Sequence, residues 1–316
     1  MVQQRVVVAG ALMLVCIAVA VAREEQGQGD RFAGVELTTV PVAGRVHMVQ
    51  RPGGGGNVGV FSGPEGVLLV DALFAPLADR LVSAVREISD GEIRFLINTH
   101  VHPDHIGGNE NLASQGVLIF AHDNVRVRAL ERLRFPRGGG RFAAKPPDGA
   151  RPIVTYTDAV SFHFNGEEVR AFLAPPGHTD GDTFVYFPES DVLHLGDVFR
   201  TTSYPIIDVY NGGTLDGTIE ALEMALAIAG PDTKVIPGHG LRVVGRSVLG
   251  EFLDMIIDVR DQVRTLISEG RTLSEVMAAK PTAAYDLRWG QEASWTAADF
   301  VPIVFYELGG GSRFSS

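Results

Sequence analysis

Glu92 to Asn98 reads as a buried strand, and it runs straight into His100-Val101-His102-Pro103-Asp104-His105. No other stretch constrains the chain as tightly. In extended backbone, residues two apart point the same way, so His100 and His102 can grip one ion together. Pro103 forces a turn, and Asp104 and His105 follow in it. Three of the chain's nine histidines fall within these six residues. Imidazole and carboxylate are what zinc takes when no thiolate is at hand, and such ligands sit in loops carried by a rigid scaffold.

Three further positions share one grammar: an apolar strand, a small residue, then a ligand type. His178 stands in Pro175-Pro176-Gly177-His178-Thr179 after a strand ending at Ala174. Asp197 stands in Leu195-Gly196-Asp197 after Val192–Leu195, and His239 in Pro237-Gly238-His239-Gly240 after Val235-Ile236. Glycine beside a ligand lets the backbone turn sharply and pass close to an ion. Each position alone is as readily structural; together with the first cluster they describe a metal site. The other histidines are read as structural. His122 ends a strand without partner spacing, and His47, His163 and His194 alternate within strands, with His163 and His194 facing a sheet surface.

Strands and helices alternate along the chain. Strands are expected at Val35–Val40, Arg45–Gln50, Asn57–Ser62 and Gly66–Asp71, with turns at Pro41–Gly44 and Gly63–Glu65. Four glycines, Gly53 to Gly56, make a mobile loop, either a plain hairpin connection or a flap over a substrate. Leu77, Leu81, Val82, Val85 and Ile88 form a helical stripe. A strand at Val117–Ala121 and a helix at Asn124–Leu133 follow, then a Gly-, Pro- and Arg-rich stretch from Phe135 to Pro152. The second half repeats the scheme with strands at Ala159–Phe164, Glu168–Ala174, Thr183–Phe187, Val192–Leu195 and Lys234–Ile236, and helices at Leu215–Ala229 and Ser247–Ser268. Two related αβ halves stacked sheet to sheet account for this order.

At the N-terminus, Arg5 precedes an apolar run from Val6 that closes in Ala20-Val21-Ala22. This pattern is expected to be a signal peptide, residues 1–22, cleaved after Ala22 and followed by a single domain over 23–316 with a C-terminal helical segment. The alternative is a retained anchor. Export would place the chain in the periplasm or outside the cell, with no stable membrane association after cleavage. Cys16 is the only cysteine, so the exported chain would have neither disulfide nor thiolate ligand. Its net charge of −11 grows more negative once Arg5 leaves. Such an acid surface argues against nucleic-acid binding and leaves a small-molecule substrate as the expected partner.

The ordered set H-x-H-x-D-H, G-H-T, G-D and G-H-G resembles the metallo-β-lactamase-fold hydrolases, from about Val35 to the long C-terminal helix. The resemblance implies an α/β fold: an αβ/βα sandwich of two packed mixed β-sheets flanked by helices, with metals at one sheet edge. It implies that His100, His102 and His178 hold a first metal and that Asp104, His105 and His239 hold a second. Asp197 would be the bridging carboxylate. The expected cofactor is two Zn2+, with iron or manganese as alternatives. Water activated by the ions would attack a lactam, lactone, ester or thioester, and Asp104 would be the catalytic residue that orients it and passes a proton to the leaving group.

Many β-lactamases of this fold place Cys where this chain has Asp197, a departure that weakens a lactamase assignment. Arg200, three residues on, lies where many of those enzymes have a Lys for the substrate carboxylate, and is expected to be substrate-binding. The loop Arg132–Arg151, with Arg132, Arg134, Arg137, Arg141, Lys145 and Arg151, would favour an anionic substrate if it folds near the metals. Two other readings stay open: an iron-dependent redox enzyme on the same fold, and a metal-binding homologue without turnover.

Overall fold

A computed structural model describes residues 31–135 and 142–311 of the 316. Both sheets and all the expected ligand residues belong to one compact unit, Leu37–Ser316. The expected signal peptide, Arg137 and Arg141 lie outside the described residues. No helix among the described residues is long and apolar enough to cross a membrane.

The first sheet has seven strands in the order of the chain: β1 (Thr38–Ala43), β2 (Val46–Gln50), β3 (Val58–Gly63), β4 (Gly66–Val70), β5 (Ile93–Ile97), β6 (Leu118–His122) and β7 (Val154–Tyr156). Pairing is antiparallel from β1 to β4 and parallel from β4 to β7. The second sheet has six: β8 (Ala159–Phe164), β9 (Glu167–Leu173), β10 (Thr183–Phe187), β11 (Val192–His194), β12 (Lys234–Ile236) and β13 (Val244–Gly245). Both β9 and β11 run antiparallel to β10, and β12 runs parallel to β11. Hence β9, β11 and β12 all end at one sheet edge. This is the expected α/β sandwich of two mixed sheets.

Alternation along the strands builds the layers. On β10, Val185 and Phe187 face the inter-sheet core with Met48, Phe61, Leu68, Val70 and Ile97, and the Phe61 and Phe187 rings lie 5.4 Å apart. Phe184, on the opposite face, points into a layer with Leu193, Val235 and the helices over the second sheet. These are α1 (Leu215–Ile228), α2 (Arg246–Ser268) and α3 (Ala297–Glu307). Leu222 of α1, Phe252 and Ile256 of α2 and Phe300 of α3 fill that layer. Every residue of β4 is buried, the pattern of a strand covered on both faces.

Local expectations fail where tertiary packing intervenes. Pro41, read as part of a turn, pairs with His47 inside β1, with a bulge before Ala43. A proline that cannot donate is tolerated there because β1 is an edge strand. The helix expected over Asn124–Leu133 stops at Arg128. Arg128 forks onto Asp180, and Ala129 and Leu133 turn back into a small cluster with Val101, Ile106 and Val125.

Candidate metal centre

His100 and His102 follow β5, and Pro103 opens one helical turn, Pro103–Ile106, that carries Asp104 and His105. Proline suits the first helical position because its missing N–H is unsatisfied there anyway. His178 follows β9, Asp197 lies in a short turn after β11, and His239 follows β12. All seven expected ligand residues therefore meet at one edge of the sandwich.

Three overlapping groups have ligand atoms within 4.8 Å of one another: His100, His102 and His178; His100, His105 and Asp197; and Asp104, His105 and His239. His102 Nδ1 lies 2.8 Å from His178 Nε2. Asp197 sits between the groups, with Oδ1 3.2 Å from His105 Nε2 and Oδ2 3.2 Å from His239 Nε2 and 3.8 Å from His178 Nε2. Asp104 Oδ2 is 3.1 Å from His239 Nε2. Close packing is enforced at Gly238, where a Cβ would collide with Asp197 Oδ1 and the Gly196 carbonyl.

These residues fit a metal site. His100 Nε2, His105 Nε2, His239 Nε2 and Asp197 Oδ1 are buried and have no hydrogen-bond partner. Leaving a buried polar atom unpaired costs about 1–3 kcal/mol, and here four such atoms converge on shared space. Five imidazoles and two carboxylates make an N/O donor set of the kind zinc accepts.

The opposite ring nitrogens are tied down. His105 Nδ1 lies 2.7 Å from Asp71 Oδ2, His102 Nε2 lies 2.8 Å from Asp208 Oδ2, and His178 Nδ1 donates to the Ile206 carbonyl. Each such partner selects the tautomer that leaves the inward nitrogen as a lone-pair donor. Asp71 also accepts from Thr99 N and Thr99 Oγ1, at 2.8 and 2.7 Å. Asp182 accepts from the backbone of His178 and from Thr179.

Charge in the site is divided. Burial, with His105 and His178 adding to it, holds His100 far below the usual imidazole range, and burial and His102 push His178 down to about 3. His105 moves up: burial opposes this, but Asp197, Asp71 and Asp104 outweigh it. Asp104 and Asp197 stay well below the usual carboxylate range, because neighbouring imidazoles, and Arg200 for Asp197, overcome burial. The ionised carboxylates and the neutral imidazoles of His100 and His178 are in the forms that bind a metal.

Arg200 requires a correction. Expected to meet a substrate, it is only 1% exposed and its guanidinium is taken up by Asp197, Ser203 and Glu292. The arginine-rich loop is engaged locally in its described part. Arg134 lies over the Tyr210 ring at 4.1 Å, Arg132 over Phe142, and Arg151 pairs with Asp148. Phe135, within this loop, packs edge-on to His102 with ring centroids 5.0 Å apart. His122 caps a helix through Asn124 N and contacts the Thr157 carbonyl; His163 is exposed. His194 is fully buried rather than on a sheet surface.

Sequence reading missed Asp71, Asp182 and Asp208. Asp71 carried a usable signal, since it ends the apolar strand β4 as the ligands end theirs. Asp208 carried none.

The family model of the metallo-beta-lactamase superfamily matches residues 51–239. The chain is 26% identical over 256 residues to a linear primary-alkylsulfatase from Pseudomonas sp., covering 69% of this chain and 48% of that one. It is 24% identical over 198 residues to a metallo-beta-lactamase type 2 from Bacillus cereus, covering 62% and 71%. The chain thus spans about half the length of the alkylsulfatase. Among solved structures, a metallo-beta-lactamase from Pontibacter korlensis aligns with a TM-score of 0.58 at 19% identity, covering 71% of this chain and 100% of that one. A stereoselective inverting sec-alkylsulfatase from Pseudomonas sp. aligns with 0.63 at 18% identity, covering 89% and 51%. At these identities the structures show a shared fold.

Proposed function

Because the chain belongs to the metallo-beta-lactamase superfamily, whose relatives here include metal-dependent hydrolases, we propose that it is a dinuclear zinc hydrolase. Its substrate is a small carbonyl-type molecule: a lactam, lactone, ester or thioester. The observation that carries this reading is the convergence of His100 Nε2, His105 Nε2, His239 Nε2 and Asp197 Oδ1, all buried and none in a hydrogen bond.

His100, His102 and His178 would hold one ion and Asp104, His105 and His239 the other, with Asp197 between them. When bound, the ions supply Lewis-acid polarisation of the substrate and a water of lowered pKa. The chain's own contribution centres on Asp104. Its side chain is 20% exposed, against 11% for His239 and 4% for Asp197, so among these it is the ligand an entering substrate meets. Held ionised by His105 and His239, it can accept a proton from the attacking water and return it to the leaving group. Asp71, Asp208 and the Ile206 carbonyl keep three imidazoles aimed inward throughout.

A sulfate ester is the second reading. It is favoured because the likeness to the alkylsulfatases runs further along this chain than the likeness to the lactamases. The N-terminal pattern supports export, and protein isolated from the periplasm should begin at Arg23; a retained N-terminus would overturn cleavage.

The test is a substrate panel on the mature, zinc-loaded protein: a cephalosporin, lactones, thioesters, phosphodiesters and alkyl sulfates. Turnover that a chelator abolishes and zinc restores supports the proposal. Sulfate release alone selects the second reading. Iron rather than zinc in protein from its own host, or no turnover by a zinc-loaded chain, overturns it.

A further inference from the structure

We propose that Arg200 is a positioning residue for the metal centre, set in place by Glu292 from the C-terminal segment. This rests on the reading of Asp197 as a metal ligand. Arg200 is among the largest fully buried side chains, and a buried guanidinium needs complete pairing to offset its desolvation. Its Nη1 donates to Asp197 Oδ2 at 2.7 Å, its Nε to Ser203 Oγ at 2.8 Å and its Nη2 to Glu292 Oε2 at 3.0 Å. One oxygen of Asp197 is thereby taken by arginine, and Oδ1, which makes no hydrogen bond, is left facing His105 Nε2 at 3.2 Å. The planar fork sets both the position and the rotation of the carboxylate, which a flexible ammonium does not do.

Glu292 lies outside the residues matched by the family model, which ends at 239. The segment that carries it is nevertheless bound to the strip Arg200–Pro205 along its length. Ser203 bridges to Gly290, Tyr204 Oη donates to Asp286 Oδ1 at 2.6 Å, and Trp295 Nε1 donates to the Pro205 carbonyl at 3.1 Å. On its other side the strip pairs with the His239 loop, through Arg200 beside His239 and Thr201 N on the His239 carbonyl. The C-terminal segment therefore reaches the metal centre through Glu292, Arg200 and Asp197 in series. The ion most affected is the one beside Asp104, His105 and His239, because Asp197 lies closer to His105 and His239 than to His178.

The test compares wild type, Arg200→Lys, Glu292→Gln and the double variant. Stepwise zinc affinities are read by competition with a chromogenic chelator, the absorption spectrum of the cobalt-substituted protein is recorded, and the metal-free proteins are melted. Losing such a supporting contact typically weakens metal binding about 10- to 100-fold. Arg200→Lys should show that loss for one ion only, with a shifted cobalt spectrum and the other ion held within about twofold. Glu292→Gln should lose less for the same ion, and the double variant should be no worse than Arg200→Lys, as expected for residues acting in series. Variants that bind both zinc ions as wild type does overturn the proposal. So does a uniform loss of both ions with a lowered melting temperature, which marks a purely structural role. A wild-type chain that takes up no zinc overturns the metal-centre reading itself, and the proposal with it.

Discussion

Asp71→Asn removes one charge from beneath the metal centre while preserving shape. Asp71 has φ of +70°, a left-handed conformation that asparagine tolerates and most residues do not, so the backbone is kept. Its Oδ2 faces two donors, Thr99 Oγ1 and His105 Nδ1, and its Oδ1 faces Thr99 N. An amide has a single acceptor oxygen. If that oxygen takes the Oδ2 place, the NH2 meets the Thr99 N–H; if it turns over, the NH2 meets the His105 N–H. Either way one buried donor is left unpaired, at about 1–3 kcal/mol, and the bond to His105 loses its charge assistance, at about 1 kcal/mol more. Metal affinity should fall about 10- to 100-fold through the misdirected His105 ring. Chelator competition measures the affinity, and urea unfolding of the metal-free protein measures the stability. A variant with zinc affinity within about twofold of wild type and an unchanged urea midpoint would refute the assignment of Asp71 as the residue that orients His105.

Three further outcomes are expected. Gly238→Ala drives a methyl into Asp197 Oδ1 and the Gly196 backbone; it should cost about 1–3 kcal/mol and weaken zinc binding, and an unperturbed variant would contradict the packing. Asp104→Asn should keep the fold and lower turnover about 10²- to 10⁴-fold, and near-normal turnover would remove Asp104 from the mechanism. In the metal-free protein, burial holds His178 at about 3, His194 at about 4 and His100 well below its usual range. The unfolded chain takes up those protons below about pH 6.5 and the folded one does not, so the urea midpoint should fall from about pH 6.5 towards about 4. Asp182, raised to about 7 by burial, works in the opposite direction but is one group against three. His105, with its raised pKa, contributes stability in full below about pH 6.5 and loses it as pH rises through its folded value. A flat or inverted acid limb would contradict these assignments.

The candidate ligand residues were legible because they follow strands, three of them directly after glycine, and strand ends are written in local hydrophobic pattern. The sandwich was legible for the same reason. Asp208 and Glu292 were not, since each is selected by proximity in the fold to a residue more than ninety positions away, and such a choice leaves no periodicity. Arg200 shows the converse error. Its spacing from Asp197 suggested a substrate contact, but its burial is decided by the C-terminal segment, which local pattern cannot place. Strand β7 was missed because three residues at a sheet edge, with Val154 exposed, carry too little alternation to read.

The proposed hydrolysis depends on the inward atoms of seven side chains holding two ions. Crystals of the zinc-loaded protein, measured at the zinc absorption edge, decide it. Two anomalous peaks are expected, one about 2.0–2.1 Å from His100 Nε2, His102 Nδ1 and His178 Nε2, the other against Asp104, His105 Nε2 and His239 Nε2, with Asp197 between. A single peak, or peaks on other residues, would contradict it.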